Sequence, residues 1–363
     1  MVTGMRTTAA ETASTHQGIV PGYLLARLAG SSQFTRAAEA ARQTLIRGRP
    51  EFRAALEFSI DQDGDLVADV RAAPTRTVYD AGGAEQLPGT RVRGEDDPVS
   101  ADPAVNEAFD GLGDTHRMLR EAFQRDSLDG AGAPLIATVH YGRKYDNAFW
   151  NGSQMVFGDG DGEVFTGFTG SVSVIGHELG HGVIQTSAGL VYQDQSGALN
   201  ESIADVLGAL TEQYVRGQTA DEASWLIGDG IFTPAVQGRA LRDMLHPGTA
   251  YDDDELGRDP QPADMAHYVR TVEDNGGVHI NSGIPNRAFA LAATTLGGYA
   301  WEGAGTAWYR ALTGGLSKTA GFTEFAERTI TAASGIGASV ESAVREAWIA
   351  VGAIEDAAAR TPR

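Results

Sequence analysis

Apolar positions change their period along this chain, and the changes divide it. Ile19-Val20-Pro21-Gly22-Tyr23-Leu24-Leu25 forms an apolar hook, and an Ala-, Arg- and Gln-rich helical stretch runs from Thr35 to Arg47. That segment reads as separable from the rest of the chain. From Phe58 to Val70, short alternating runs flank Asp61-Gln62-Asp63-Gly64-Asp65, the pattern of two strands joined by a turn. Between Pro103 and Arg125, Val105, Phe109, Leu112, Leu119 and Phe123 recur at helical spacing and predict an amphipathic helix. Leu135 to Tyr141 and Phe149 to Phe168 read as sheet, the latter broken by Gly158-Asp159-Gly160-Asp161-Gly162 as a hairpin turn. From Ser171 onward the period is helical, with helices expected over 172–187, 197–216, 285–297, 304–314, 323–333 and 339–351. An α+β protein is therefore expected, with a β-rich N-terminal lobe and a mainly helical C-terminal one.

Two acidic clusters invite a calcium interpretation. The loop from Asp61 has its glycine at the fourth place rather than the sixth, and Ala72 stands where an EF-hand needs a bidentate Glu. The Gly/Asp run at 158–162 has the composition that tight turns need for backbone reasons alone. The acidic loop Asp252-Asp253-Asp254-Glu255 reads as solvated surface.

Composition narrows the chemistry. Cysteine is absent, which removes disulfides, thiol catalysis and thiolate metal sites, so any metal must be held by His and carboxylates. Forty-eight acidic against 28 basic residues give a net charge of −20, a mean field that repels a nucleic-acid backbone. No apolar run approaches the roughly 20 residues of a membrane span. Met1 to Ala13 is small and polar with a single Arg6, and no apolar signal core comes after it. A cytoplasmic location is therefore expected, with non-classical export left open.

The decisive stretch is Val174-Ile175-Gly176-His177-Glu178-Leu179-Gly180-His181, an H-E-x-x-H pattern in apolar surroundings. Residues four apart share a helical face, so His177 and His181 can converge on one ion with Glu178 beside them. Two core histidines four apart would give the same bare pattern. A catalytic zinc needs three protein ligands and one open position. Glu201, in Gly197-Ala198-Leu199-Asn200-Glu201-Ser202-Ile203-Ala204-Asp205, supplies the third after an antiparallel return of 20 residues. Asp205 shares its face and is placed to accept the free N–H of a zinc-bound imidazole; a surface charge is the alternative.

H-E-x-x-H followed by G-x-x-N-E-x-x-x-D resembles the thermolysin family of zinc metallopeptidases. Asn147-Ala148-Phe149-Trp150-Asn151-Gly152 resembles its substrate-edge segment, and Asp274 to Gly283 its second catalytic segment, so the likeness covers roughly residues 75 to 352. It implies a zincin-type two-lobed endopeptidase with the active site in the cleft between lobes. The expected division is a propeptide-like segment over 1–70, a β-rich lobe over 71–187 ending in the zinc-binding helix, and a helical lobe over 188–363. The resemblance also implies one catalytic Zn2+, with Glu178 as general base and His279 and Tyr192 as oxyanion donors. Asp274 would orient His279. Asn147, Ala148 and Arg242 would hold the substrate backbone, Arg242 at the carbonyl past the cleaved bond. Phe165, Phe168, Val174 and Leu241 would line a pocket for a bulky apolar residue just after that bond, although packing alone would also explain them.

Calcium-binding relatives carry acidic groups where this chain has Ser173, Ser224 and Leu226. Only Glu212 and Asp229 remain, which puts a double calcium site in doubt. The hook resembles the short Pro-x-Tyr propeptide of protealysin-like members, with Gly22 where that group has a second Pro. The expected partners are protein or peptide substrates and the chain's own propeptide, with His16 as a candidate for approaching the zinc and a proteinaceous inhibitor left open. Two alternatives stand beside the endopeptidase. One is a catalytically silent zincin fold that serves in binding; the other is a zinc aminopeptidase, whose G-x-M-E-N segment is missing here. Cleavage of a blocked internal peptide separates them.

Overall fold

Five strands form a mixed sheet under the N-terminal lobe, in the order β2-β1-β3-β5-β4. They are β1 (Arg76–Asp80), β2 (Thr90–Gly94), β3 (Leu135–Val139), β4 (Ala148–Trp150) and β5 (Met155–Phe157). β1 pairs with β3 and β3 with β5 in parallel, while β2 and β4 run antiparallel at the two edges. This computed structural model describes residues 18–47 and 74–356. The strand pair expected over Phe58–Val70, and His16, lie outside the described residues.

The helices are α1 (Gly22–Leu28), α2 (Thr35–Arg47), α3 (Pro103–Phe123), α4 (Val172–Thr186), α5 (Asp194–Arg216), α6 (Asp274–Asn281), α7 (Gly283–Leu296), α8 (Ala304–Thr313), α9 (Phe322–Ser334) and α10 (Ala338–Ala350). Local chemistry sets their ends. Asp102 accepts the Ala104 N–H at 3.0 Å ahead of Pro103, an N-cap joined to a proline already holding the helical φ. α5 stops at Gly217, whose φ of 62° is left-handed and costs a glycine little.

The hairpin expected at Gly158–Gly162 is displaced. β4 turns into β5 at Asn151–Gln154, because the Asn151 side chain accepts the N–H groups of Ser153 and Gln154, both at 3.0 Å. Gly158–Gly162 lies after β5 as a bend in which Asp161 accepts the N–H of Glu163 and Val164. Phe165 makes only an isolated bridge to Phe232.

The cleft floor is the packed pair α4 and α5. α4 is buried along nearly its whole length, as an apolar helix must be. The two helices touch through glycines. A Cβ on Gly180 would sit 3.0 Å from Ala204 Cα, one on Gly176 3.0 Å from Gly208 Cα, and one on Gly208 2.4 Å from the Ser173 carbonyl oxygen. In the helical lobe Trp308 stacks on Trp348 at 5.6 Å between ring centroids, with Phe325 edge-on, and Trp348 donates its indole N–H to Thr329 at 2.8 Å.

The N-terminal segment docks against both lobes, with Arg27 donating to the Glu255 carbonyl of the second at 3.0 Å. Ile19, Val20, Leu24, Leu25 and Leu28 are buried, each worth roughly 1.5–3 kcal/mol of transfer. Glu163 accepts the Arg36 and Ala37 N–H groups at the start of α2, at 2.8 and 3.0 Å, and pairs with Arg36. Arg47, at the other end, donates to the Arg143 carbonyl and pairs with Glu85. No helix among the described residues is long and apolar enough to cross a membrane.

Candidate metal centre

α4 presents His177, Glu178 and His181 to the cleft, and α5 presents Asn200, Glu201 and Asp205 opposite them. His177 Nδ1 lies 2.7 Å from Asp205 Oδ1, and His181 Nδ1 lies 2.8 Å from Asn200 Oδ1. Both partners are acceptors, so they assign the proton to each Nδ1 and leave each Nε2 with a lone pair. Those two nitrogens face each other at 3.1 Å, and Glu201 oxygens lie 3.5 and 3.6 Å from them. His177, His181 and Glu201 form the one group of three or more His or carboxylate ligands found among the described residues.

This arrangement fits a metal ion on its own geometry. Opposed lone pairs beside a carboxylate are unfavourable unless a cation lies between them. Glu201 Oε2 is buried and accepts no hydrogen bond, which is costly for a charged oxygen. A tetrahedral zinc with bonds of about 2.0–2.2 Å sets its ligand atoms roughly 3.3–3.5 Å apart, close to the separations here.

Asp205 is the hub behind the ligands. Besides His177 it accepts from Arg242 Nη2 at 2.7 Å, Arg242 Nε at 2.8 Å and Asn286 Nδ2 at 2.8 Å. Burial opposes its charge, yet Arg242 and His177 outweigh it and hold the carboxyl far below the ordinary range. The surface-charge alternative for Asp205 is thus removed, since the residue is fully buried.

Glu178 is fully buried beside β4, and its Oε2 accepts the Trp150 N–H at 2.7 Å. His279 enters from α6. Its Nδ1 lies 2.6 Å from Asp274 Oδ1, and its Nε2 lies 3.3 Å from the Tyr192 hydroxyl. Burial pushes this imidazole down, but the Glu201 and Asp274 carboxylates prevail and hold it up at about 9. Tyr192 also donates to Glu201 Oε1; burial, then the charge of Glu201, raises its phenol well above the ordinary value. Both groups therefore keep a proton to offer at neutral pH.

Asn147 and Ala148 lie at the sheet edge, and with Arg242 they bind the chain's own residues 19 and 20. Phe165, Phe168, Val174 and Leu241 are buried in the same apolar cluster as Ile19. On the far side of His181 a cleft bounded by Trp150, Tyr192 and Asn200 is open. The residues of the doubtful calcium site are otherwise engaged: Ser173 accepts the Gly228 N–H, Ser224 the Leu226 N–H, and Glu212 pairs with Arg216.

Several positions escaped the sequence-based expectations. Asn200 stands in the N-E-x-x-x-D motif itself, where a residue preceding the third ligand deserved a role. Asn286 and the Trp150 backbone N–H carry no sequence signal for their contacts. His279 is on α6, whose first turn contains Asn275, Gly276 and Gly277 at positive φ.

Two imidazoles and a carboxylate converging on one position beside a buried glutamate, with a histidine and a tyrosine opposite, define a metallopeptidase site. The chain belongs to the thermolysin metallopeptidase family: residues 58–185 match its catalytic domain and residues 188–353 its alpha-helical domain. It is similar to an extracellular metalloprotease of Pectobacterium carotovorum subsp. carotovorum, 53% identical over 76% of this chain and 80% of the relative. Protease PrtS of Photorhabdus sp. (strain Az29) is 50% identical over 81% and 80%. Among solved structures, the precursor of protealysin, a metalloproteinase from Serratia proteamaculans, superposes with a TM-score of 0.84. That match has 47% identity and covers 93% of this chain and 100% of that one. The chain is a protealysin-like zinc metalloendopeptidase of two lobes.

The expected cytoplasmic location is corrected by these relatives, since the Pectobacterium protein is named extracellular and points to secretion. The composition of Met1–Ala13 speaks to a single export route, the apolar signal core, and so does not decide the compartment.

Proposed function

We propose that this metalloendopeptidase holds one zinc through His177, His181 and Glu201 and cuts internal peptide bonds before a bulky apolar residue, from an autoinhibited precursor. The observation that carries the proposal is the set of ligand separations, 3.1, 3.5 and 3.6 Å, around a buried carboxylate, one of whose oxygens accepts no hydrogen bond. The bound ion would supply an acidified water and polarise the scissile carbonyl.

The chain's own residues do the rest. Glu178 takes a proton from the attacking water and passes it to the leaving amine, as a carboxylate held by one backbone N–H can. His279 and Tyr192 donate toward the developing oxyanion, each worth roughly 3 kcal/mol in such roles. Asp274 keeps His279 turned and charged. Asn147, the Ala148 carbonyl and Arg242 grip the substrate backbone, and Phe165, Phe168, Val174 and Leu241 surround the side chain after the cut. Residues 18–47, of which Ile19 and Val20 enter the cleft, are the inhibitory part of the N-terminal segment, ahead of the β-rich and helical lobes.

The test is cleavage of an N- and C-blocked peptide with Leu or Phe after the target bond, read by mass spectrometry. Wild type should cut before the apolar residue, a chelator should abolish cutting and zinc restore it. Glu178→Gln should retain zinc and lose nearly all turnover. Retained turnover in that variant would refute the general-base role.

A further inference from the structure

The N-terminal segment makes four hydrogen bonds in the cleft, and their order matters. The Ile19 N–H donates to the Ala148 carbonyl at 3.0 Å. The Ile19 carbonyl accepts from Arg242 Nη1 at 3.2 Å. The Val20 N–H donates to Asn147 Oδ1 at 2.8 Å, and Asn147 Nδ2 donates to the Val20 carbonyl at 3.0 Å. Every group proposed to hold a substrate backbone is thus occupied, donor to acceptor, by two consecutive residues. Arg242 is the group placed at the carbonyl just past a cleaved bond, and here that carbonyl belongs to Ile19. Ile19 is itself fully buried, in the connected apolar core that also contains the residues proposed for the side chain after the cut.

We propose that residues 19 and 20 lie in substrate register, so that Gly18–Ile19 stands at the scissile position and is a bond this enzyme cuts in its own chain. The inference rests on the proposed substrate-binding roles of Asn147, Ala148 and Arg242. In the step, the oxygen of water bonds to the Gly18 carbonyl carbon and the bond to the Ile19 nitrogen breaks. Glu178 carries a water proton to that nitrogen, leaving a Gly18 carboxylate and an Ile19 amine. Pro21 then leads directly into α1, and the α2 anchors at Glu163 and Arg47 fix the segment to the same surface, so the bond is presented already docked.

Gly18 provides the handle. A Cβ there would lie 2.7 Å from Asn147 Nδ2 and 2.8 Å from the Ala148 carbonyl oxygen, closer than real Cβ atoms approach. Gly18→Ala should therefore push the bond out of place without touching the enzyme's own groups.

The experiment tracks the N-termini of full-length, zinc-supplied protein by mass spectrometry over time, beside Gly18→Ala and Glu178→Gln. A new terminus at Ile19 should form in wild type, at least about tenfold more slowly in Gly18→Ala, and not in Glu178→Gln. Gly18→Ala should cut the blocked peptide at least as fast as wild type. Hydrogen exchange on Glu178→Gln, with zinc and after its removal, reads the docking separately; the Ile19 and Val20 amides should be protected in both. Absence of the Ile19 terminus in protein that cuts the blocked peptide overturns the proposal and leaves the enzymatic reading standing. Equal rates in Gly18→Ala, or unprotected amides, overturn it as well. Loss of all peptide cleavage in wild type sinks the enzymatic reading along with it.

Discussion

Replacing Asp205 by Asn tests whether the buried hub behind the ligands works as its contacts imply. Its two oxygens accept four hydrogen bonds, one from His177, two from Arg242 and one from Asn286. An amide keeps one oxygen and turns an NH2 group toward donors, so about half of those contacts become repulsive. The larger loss is electrostatic, because Arg242 is only 2% exposed and Asp205 is its sole ion-pair partner among the described residues. Stranding a buried charge costs roughly 3–5 kcal/mol, a large share of a total stability of about 5–15 kcal/mol. The loosened His177 should in addition weaken zinc binding by about 10–100-fold. Urea unfolding in a Glu178→Gln background measures the first effect, and equilibration against a graded chelator measures the second. Adding Arg242→Met removes the stranded charge and should recover at least about 2 kcal/mol. A loss below about 1 kcal/mol in the single variant, or a double variant no more stable than Asp205→Asn, would refute the reasoning.

Asp146 is buried beneath α2, where its N–H donates to Thr44; burial, then the charge of Asp161, raises its carboxyl to about 9. A raised folded value means stability fully present below about pH 4 and lost progressively toward pH 9. Asp146→Asn stays neutral in both states, so its stability relative to wild type should climb over that window in thermal unfolding of the inactive protein; a flat difference would contradict the assignment. Gly208→Ala gains about 1 kcal/mol of helix propensity, but its Cβ meets the Ser173 carbonyl, an overlap worth roughly 1–3 kcal/mol, so net destabilisation and weaker zinc retention are expected on calorimetry and dialysis. Trp348→Ala removes a fully buried ring stacked on Trp308 and should cost about 3–5 kcal/mol by urea denaturation. Glu163→Gln weakens the cap on α2 and should make the N-terminal segment a better target for limited proteolysis, with faster cleavage of the blocked peptide.

The readable part of the sequence is the part that depends on short spacing. His177 and His181 are four apart on one helix, and Glu201 and Asp205 four apart on another, so helix geometry alone brings each pair to one face, with Glu178 beside the first. The helices of the C-terminal lobe other than α6 were readable to within a few residues for the same reason. Contacts between distant segments were not: Glu163 caps a helix that begins at Thr35, and Arg242 pairs with Asp205 from a strand-like loop. β1 and β2 left no expectation because two five-residue strands give too few positions for a period to show. The hairpin was misplaced because the Gly/Asp run at 158–162 and Asn151 both have turn chemistry, and only the side-chain acceptor of Asn151 closes the tight one. Asn200 was overlooked although its neighbour was identified, since a neutral amide carries no charge to draw notice as a partner for His181.

The glycine contacts between α4 and α5 have a consequence for redesign. With main chain resting on main chain at Gly176, Gly180 and Gly208, the gap between the histidine pair and Glu201 is gauged by backbone thickness and not by side-chain bulk. Extensive repacking of the helical lobe should leave that gauge untouched, whereas one methyl group at any of the three glycines resets it. Attempts to change which ion this frame accepts would do best to keep the glycines and exchange ligands upon them.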